Sequence, residues 1–161
     1  MPARKSLSHV DPRGRVRMVD VGGKPETDRE AVASAEIRVS KAALKAVRTG
    51  AVKKGDPLQI ARTAGIMAAK RTADLIPLCH PLALSHVDVD IKARPWGYEL
   101  RAMVRTKGRT GVEMEALTAV TVAALTIYDM LKAVDRAMTI GRVAVLEKRG
   151  GRSGHYRRTV R

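Results

Sequence analysis

Two alternating stretches dominate the pattern of apolar and polar positions along the chain. Ser85, Val87, Val89 and Ile91 alternate with His86, Asp88 and Asp90. After Arg94-Pro95-Trp96-Gly97, Tyr98, Leu100, Ala102 and Val104 alternate with Glu99, Arg101, Met103 and Arg105. A period of two puts each set on its own side of a strand, so the stretch predicts a β-hairpin. Arg29 to Val39 and Val143 to Lys148 are further strand segments, and Val16 to Val21 predicts a short one ended by Gly22-Gly23 and Pro25.

Helical periodicity fills the gaps. Ser40 is placed to cap a short helix over Lys41–Arg48 that stops at Gly50. Asp56 followed by Pro57 is a strong helix start, and Leu58, Ala61, Ile66 and Ala69 hold one apolar face to about Asp74. Pro77 and Pro81 then bracket Leu78-Cys79-His80 in an extended, restricted stretch. Gly111 to Arg136 predicts one long helix. The order strand, helix, strand, strand, helix, strand predicts an α+β fold of the ferredoxin-like, split βαβ kind. It would be a four-stranded antiparallel sheet with two long helices on one face and a small extra helix. Residues 1–15 read as a mobile basic arm, 16–149 as a single domain, and 150–161 as a Gly-rich basic tail.

On the long helix, Glu115, Thr118, Thr126, Asp129, Lys132 and Arg136 fall within an arc of about 120°. Asp129 and Lys132, three apart, can meet. Pattern alone favours a solvated face with one ion pair worth about 0.3–0.5 kcal/mol. The competing reading is the only wet line on an otherwise buried helix, where charges usually work. Lys54 sits just ahead of a helix N-terminus and beside Lys53, both of which disfavour its charged form; the bland alternative is a flexible loop.

Composition narrows the classes. A chain of 161 residues that is 45% hydrophobic can build one core, but with no Phe, one Trp and three Tyr that core must be aliphatic. Cys79 is the only cysteine, so no intrachain disulfide forms and a reducing, cytoplasmic setting follows; no apolar run reads as a membrane span. Cys79-His80 is too closely spaced for a usual zinc site and has no second Cys or spaced His pair to complete one, and as adjacent residues on an extended segment the two would point apart, which disfavours a Cys–His nucleophile pair; His80 is left to bind a ligand or pack. A net charge of +15 suits a polyanionic partner. Nucleic acid fits poorly, because the cations are spread over every element and stacking aromatics are nearly absent. The run Arg149 to Gly154 would serve either as a backbone nest for phosphate or as a frayed tail.

Several segments together carry a resemblance. They are Met18 to Val21, Lys54-Gly55-Asp56, Ala68 to Thr72, Asp74 to Leu82 (DLIPLCHPL), Thr110 to Ala119 (TGVEMEALTA), Ala123 to Lys132 (AALTIYDMLK) and Lys148 to Gly154. The chain resembles the molybdenum cofactor biosynthesis protein C family, the cyclic pyranopterin monophosphate synthases, over nearly everything after about residue 15. The resemblance implies a lyase that rearranges 3′,8-cyclo-7,8-dihydroguanosine 5′-triphosphate and releases pyrophosphate. It implies catalytic roles for Lys54, Lys132 and Asp129, and substrate contacts for Leu78, Cys79, His80, Glu113, Met114 and Glu115. Arg29, Lys70 and Lys148 would clamp the triphosphate. No resident cofactor or metal is implied, beyond Mg²⁺ travelling with the triphosphate. The implied assembly is a hexamer built from dimers, with sites at subunit contacts and Lys54 brought in from a neighbouring copy.

Overall fold

The structure is a computed structural model and describes residues 9–11 and 13–159. Its first long element, β1 (Thr27–Arg38), runs down the middle of the sheet. Helices α1 (Lys41–Arg48), α2 (Pro57–Lys70) and α3 (Thr72–Leu75) follow, then the hairpin β2 (Leu84–Arg94) and β3 (Gly97–Gly108). Helix α4 (Glu113–Leu131), β4 (Thr139–Arg149) and β5 (Tyr156–Arg157) complete the chain. The fold is α+β, and the sheet is antiparallel with strand order β2-β3-β1-β4-β5. Both β1 and β2 pair antiparallel with β3 between them, so they run in the same direction, joined by the first three helices.

The sheet therefore has five strands, where the pattern predicted four. The fifth comes from the Gly-rich tail, which turns back so that Glu147 pairs with Arg157 and Lys148 with Tyr156. That reversal depends on Gly150 and Gly151, whose φ values of 91° and 73° are left-handed. A Cβ on Gly150 would strike the Asp28 carbonyl, and one on Gly151 the Arg29 guanidinium. No apolar alternation marks Tyr156-Arg157, both exposed, which is why the strand is invisible to a hydrophobic pattern.

Three other boundaries differ. The helix after Asp56 breaks at Lys70 and resumes as the four-residue α3. The strand predicted over Val16 to Val21 does not form; only Val16 makes an isolated bridge, to Val10. The Val19 carbonyl instead accepts from a His80 side chain, so it is not free for a ladder. The arm predicted over 1–15 lies partly outside the described residues. Within it, Asp11 accepts from the Arg13 and Arg15 backbone N–H groups, which closes a tight turn. The caps behave as predicted. The Ser40 hydroxyl accepts from Ala43 N–H at 3.2 Å, and Asp56 accepts from Leu58 N–H at 2.9 Å.

The core lies between the sheet and the α2–α4 pair. Alternate positions Ala31, Ala33, Ala35 and Ile37 on β1 and Tyr98, Leu100, Ala102 and Val104 on β3 are buried, with Ala116, Ala119, Val120, Ala123, Ala124, Ile127 and Leu131 of α4 in the same cluster. Small residues bring α4 close to both layers. Helix α4 is long and apolar enough to cross a membrane by length and composition, and half of that stretch is buried inside the fold. Gly65 of α2 marks the tightest approach. A Cβ there would lie 2.9 Å from the Ala119 carbonyl and 3.2 Å from Val89 Cγ2. Since neither backbone can yield cheaply, Gly65→Val should cost about 1–3 kcal/mol, outweighing the small gain in helix propensity. Urea unfolding would report this as a lower midpoint at unchanged slope, and an unchanged midpoint would refute the close-packing account.

Candidate active site

Helix α4 positions chemistry at both of its ends. At its C-terminal end, Asp129 stands between two ammonium groups. Lys132, one turn on, reaches Asp129 Oδ1 at 2.7 Å, and Lys54, from the loop before α2, reaches Oδ2 at 3.3 Å. The Lys54 ammonium also donates to the Asp129 carbonyl at 3.3 Å. This meeting follows from the antiparallel packing of α2 on α4, which brings the start of one helix to the end of the other. Lys54 thus reaches Asp129 within its own chain, not from a neighbour as expected. Hydrogen bonds from Lys132 first and Lys54 second hold the Asp129 carboxyl below the ordinary carboxylate range. Asp129 is therefore a charged anchor for both ammonium groups at neutral pH. All three side chains are more than half exposed, so the cluster adds little to stability.

At the N-terminal end of α4 lies a cavity of about 410 Å³ lined by Leu78, Cys79, His80, Glu113, Met114 and Glu115 together with His9, Val19, Val21 and Lys24. Contrary to expectation, Pro77-Leu78 forms a turn, closed by Cys79 N–H donating to the Ile76 carbonyl at 3.0 Å, and Cys79 and His80 both line the cavity. His80 Nε2 lies 2.7 Å from the Val19 carbonyl. A carbonyl only accepts, so Nε2 carries a proton and donates it to this bond. Glu115 is 4% exposed, and burial, reinforced by Glu113, pushes its carboxyl up to about 6. Burial and the nearby Glu115 charge push the Cys79 thiol up as well. A thiol held neutral is a poor nucleophile.

The predicted stripe is consequently not one wet line. Glu115 and Thr118 are buried, Asp129 and Lys132 are exposed, and Arg136 lies beyond the end of the helix.

A second cavity, of about 900 Å³, adjoins the first. Arg29 and Lys148 line it with Arg109, Arg149, Arg152 and Ser153. The Arg29 guanidinium donates to the Gly108 and Arg109 carbonyls at 3.3 and 3.4 Å, and the Lys148 ammonium donates to the Ser153 hydroxyl. Six cations around one hollow, Lys24 among them, with Glu113 the only carboxylate, suit a multiply charged phosphate chain. Lys70, exposed in the last turn of α2, lines neither cavity. Among the described residues, no group of three His, Cys, Asp or Glu side chains is placed to hold a metal ion.

The sequence over residues 18–151 matches the MoaC family. The chain belongs to that family. Its relatives include a cyclic pyranopterin monophosphate synthase of Thermomicrobium roseum, 60% identical over 94% of this chain and 93% of the relative. One from Parvibaculum lavamentivorans is 55% identical over 96% and 98%, and one from Peptoclostridium acidaminophilum is 52% identical over 94% and 97%. The family match reaches from the loop at Val19 to the turn at Gly151 and so takes in the Lys54–Asp129–Lys132 cluster and most of the lining of both cavities.

Pattern reading missed His9, Lys24, Thr27 and Arg109 at the cavities. His9, Lys24 and Arg109 stand in loops without periodicity and Thr27 at the very start of β1, so only tertiary folding brings them to the cavities.

Glu115 provides a check on the buried end. The folded state holds its proton more tightly than the unfolded chain does. Stability from this group is complete below pH 4.5 and is lost as pH rises through about 6. Glu115→Gln should therefore stabilise the protein at pH 8 by about 2 kcal/mol and by little at pH 4, measured by urea denaturation. An equal effect at both pH values would place the carboxyl in water.

Proposed function

We propose that this chain is a cytoplasmic cyclic pyranopterin monophosphate synthase of molybdenum cofactor biosynthesis. It converts 3′,8-cyclo-7,8-dihydroguanosine 5′-triphosphate to cyclic pyranopterin monophosphate and pyrophosphate, as a phosphorus–oxygen lyase. The observation that carries this reading is the Lys54–Asp129–Lys132 cluster, supported by the names of the relatives and by a ring-sized cavity opening into a basic one. The substrate's guanine-like ring presents N–H groups to Glu113 and Glu115, and its phosphates lie among Arg29, Lys148 and the Gly150-Gly151 turn. Lys54 and Lys132 move the protons that opening and reclosing the C–N and C–O bonds require, while Asp129 aims both. Lys70 acts from outside these cavities as a further cation toward the phosphates. No resident metal is part of the reading; Mg²⁺ carried by the triphosphate counts as substrate. The fold reading that goes with it is ferredoxin-like, with β5 appended to a split βαβ sheet.

One copy cannot complete such a site. Fourteen residues of helix separate Glu115 from Asp129, about 21 Å along the axis. Proton transfer needs groups within about 3 Å of the reacting atoms. The lysine cluster of one copy therefore serves the cavities of another, in a hexamer built from dimers. The outer face of the helix pair supports association: Leu125 is 53% exposed, Met67 50% and Ile60 40%, and α4 carries no charge between Glu115 and Asp129.

Lys54→Ala and Lys132→Ala should remain folded and bind substrate but lose turnover by about 10³-fold or more, followed as pyrophosphate release. Near-wild-type turnover in either would remove that lysine from the mechanism. Mixing Lys132→Ala with Glu115→Ala, each inactive alone, should restore about one quarter of wild-type activity by random exchange into dimers with one intact site. No recovery in mixed dimers would place the whole site within one copy.

A further inference from the structure

Helix α1 and the hairpin β2–β3 enclose an open groove of about 580 Å³ that shares no residue with the cavities described above. Leu44 and Val47 of α1, Leu58 of α2, Ala93 of β2 and Tyr98 of β3 line it, and Lys41, Lys45 and Arg48 stand along its α1 side. We propose that this groove docks an amphipathic helix of an acidic partner protein, with its apolar stripe on the floor and its carboxylates against the α1 cations. The proposal goes beyond the reaction assigned above and does not rest on it.

The cations form a ladder. Lys41, Lys45 and Arg48 fall within an arc of about 60° on α1 and rise about 6 and 4.5 Å from one to the next. Helix α1 has no acidic residue, and among the described residues none of the three cations has an ion-pair partner. A small anion would meet one or two rungs. Carboxylates spaced by four and three residues on a facing helix meet all of them. Leu44 and Val47 continue round one flank of the ladder, so the groove is an apolar strip edged by positive charge, the complement of an acidic amphipathic helix.

The floor carries a second sign of an occupant. Tyr98 is 2% exposed, and its hydroxyl makes no hydrogen bond among the described residues. Among those residues the Thr27 hydroxyl is the one fully sealed side-chain polar atom without a partner, so the Tyr98 hydroxyl still opens to the surface, and it does so in the groove. A polar group of a docked chain would satisfy it. A second copy of this chain does not fit. Its net charge is +15, α1 and α2 have no acidic residue, and α4 offers Glu113, Glu115 and Asp129, of which Glu115 is buried. Among the described residues no helix presents three carboxylates at one-turn spacing, so the match must come from another protein.

Fluorescence anisotropy with three labelled peptides of about four helical turns tests this. The first carries a leucine stripe edged by glutamates at one-turn spacing, the second has glutamine for glutamate, and the third has serine for leucine. The first should bind saturably and about tenfold or more tighter than either of the others. Lys41→Glu with Lys45→Glu should weaken it about tenfold or more. The urea midpoint should stay near wild type, since both side chains are exposed and the first turn of a helix accepts an acid. No saturable binding, or undiminished affinity in the charge-reversed variant, would overturn the proposal. Equal binding of the serine peptide would reduce the contact to undirected attraction by a basic surface and overturn it as well. Sedimentation in which the charge reversal abolishes wild-type self-association would give the groove to a second copy, against the proposal.

Discussion

The close antiparallel packing of α2 on α4 over the sheet is the constraint on which the rest of the molecule depends. It is possible because Gly65 lets the α2 backbone approach the Ala119 carbonyl, and because alanines floor the groove on both layers. Two consequences follow from one contact. The loop before α2 arrives at the end of α4, where Lys54 meets Asp129. The turn after α2 and α3 arrives at the start of α4, where Cys79 and His80 meet Glu115. Separating the helices by even one methyl group would disturb both ends together.

Helix α4 treats two of its carboxylates in opposite ways. Glu115 is buried against Glu113 with no cation on it, and its proton is held up to about pH 6. Asp129 stands in water between two lysines, and its proton is lost below the ordinary range. Environment alone separates them, since both lie on one helix. The neutralisable carboxyl suits recognition of ring N–H and carbonyl groups. The permanently charged one suits holding two ammonium groups in fixed positions.

The charge of +15 also becomes partly intelligible in three dimensions. Arg29, Arg109, Lys148, Arg149 and Arg152 are scattered through the sequence but converge on one hollow. Other cations are spent on the helix-free face of the sheet, where Arg105 pairs with Glu30 and Arg142 with Glu36. A surface of this sign attracts polyanions from a distance and disperses its pull over the molecule.

Local chemistry was readable along the chain wherever it depended on neighbours in sequence. The hairpin, the Ser40 and Asp56 caps, the start of α4 and the Asp129–Lys132 pair all rest on spacings of two to four residues, which a pattern exposes. The motifs around Cys79-His80 and Glu113 to Glu115 marked the family for the same reason. What contacts between distant residues decide lay beyond such reading. The fifth strand exists because a glycine turn fits against Asp28 and Arg29. The strand expected at Val16 to Val21 fails because His80 claims the Val19 carbonyl. Lys54 sits beside Asp129 of its own chain, 75 residues away, and Lys24 lines both cavities, each by tertiary packing. Periodicity reports which face of an element is buried; only the packed helices and sheet determine which ends meet.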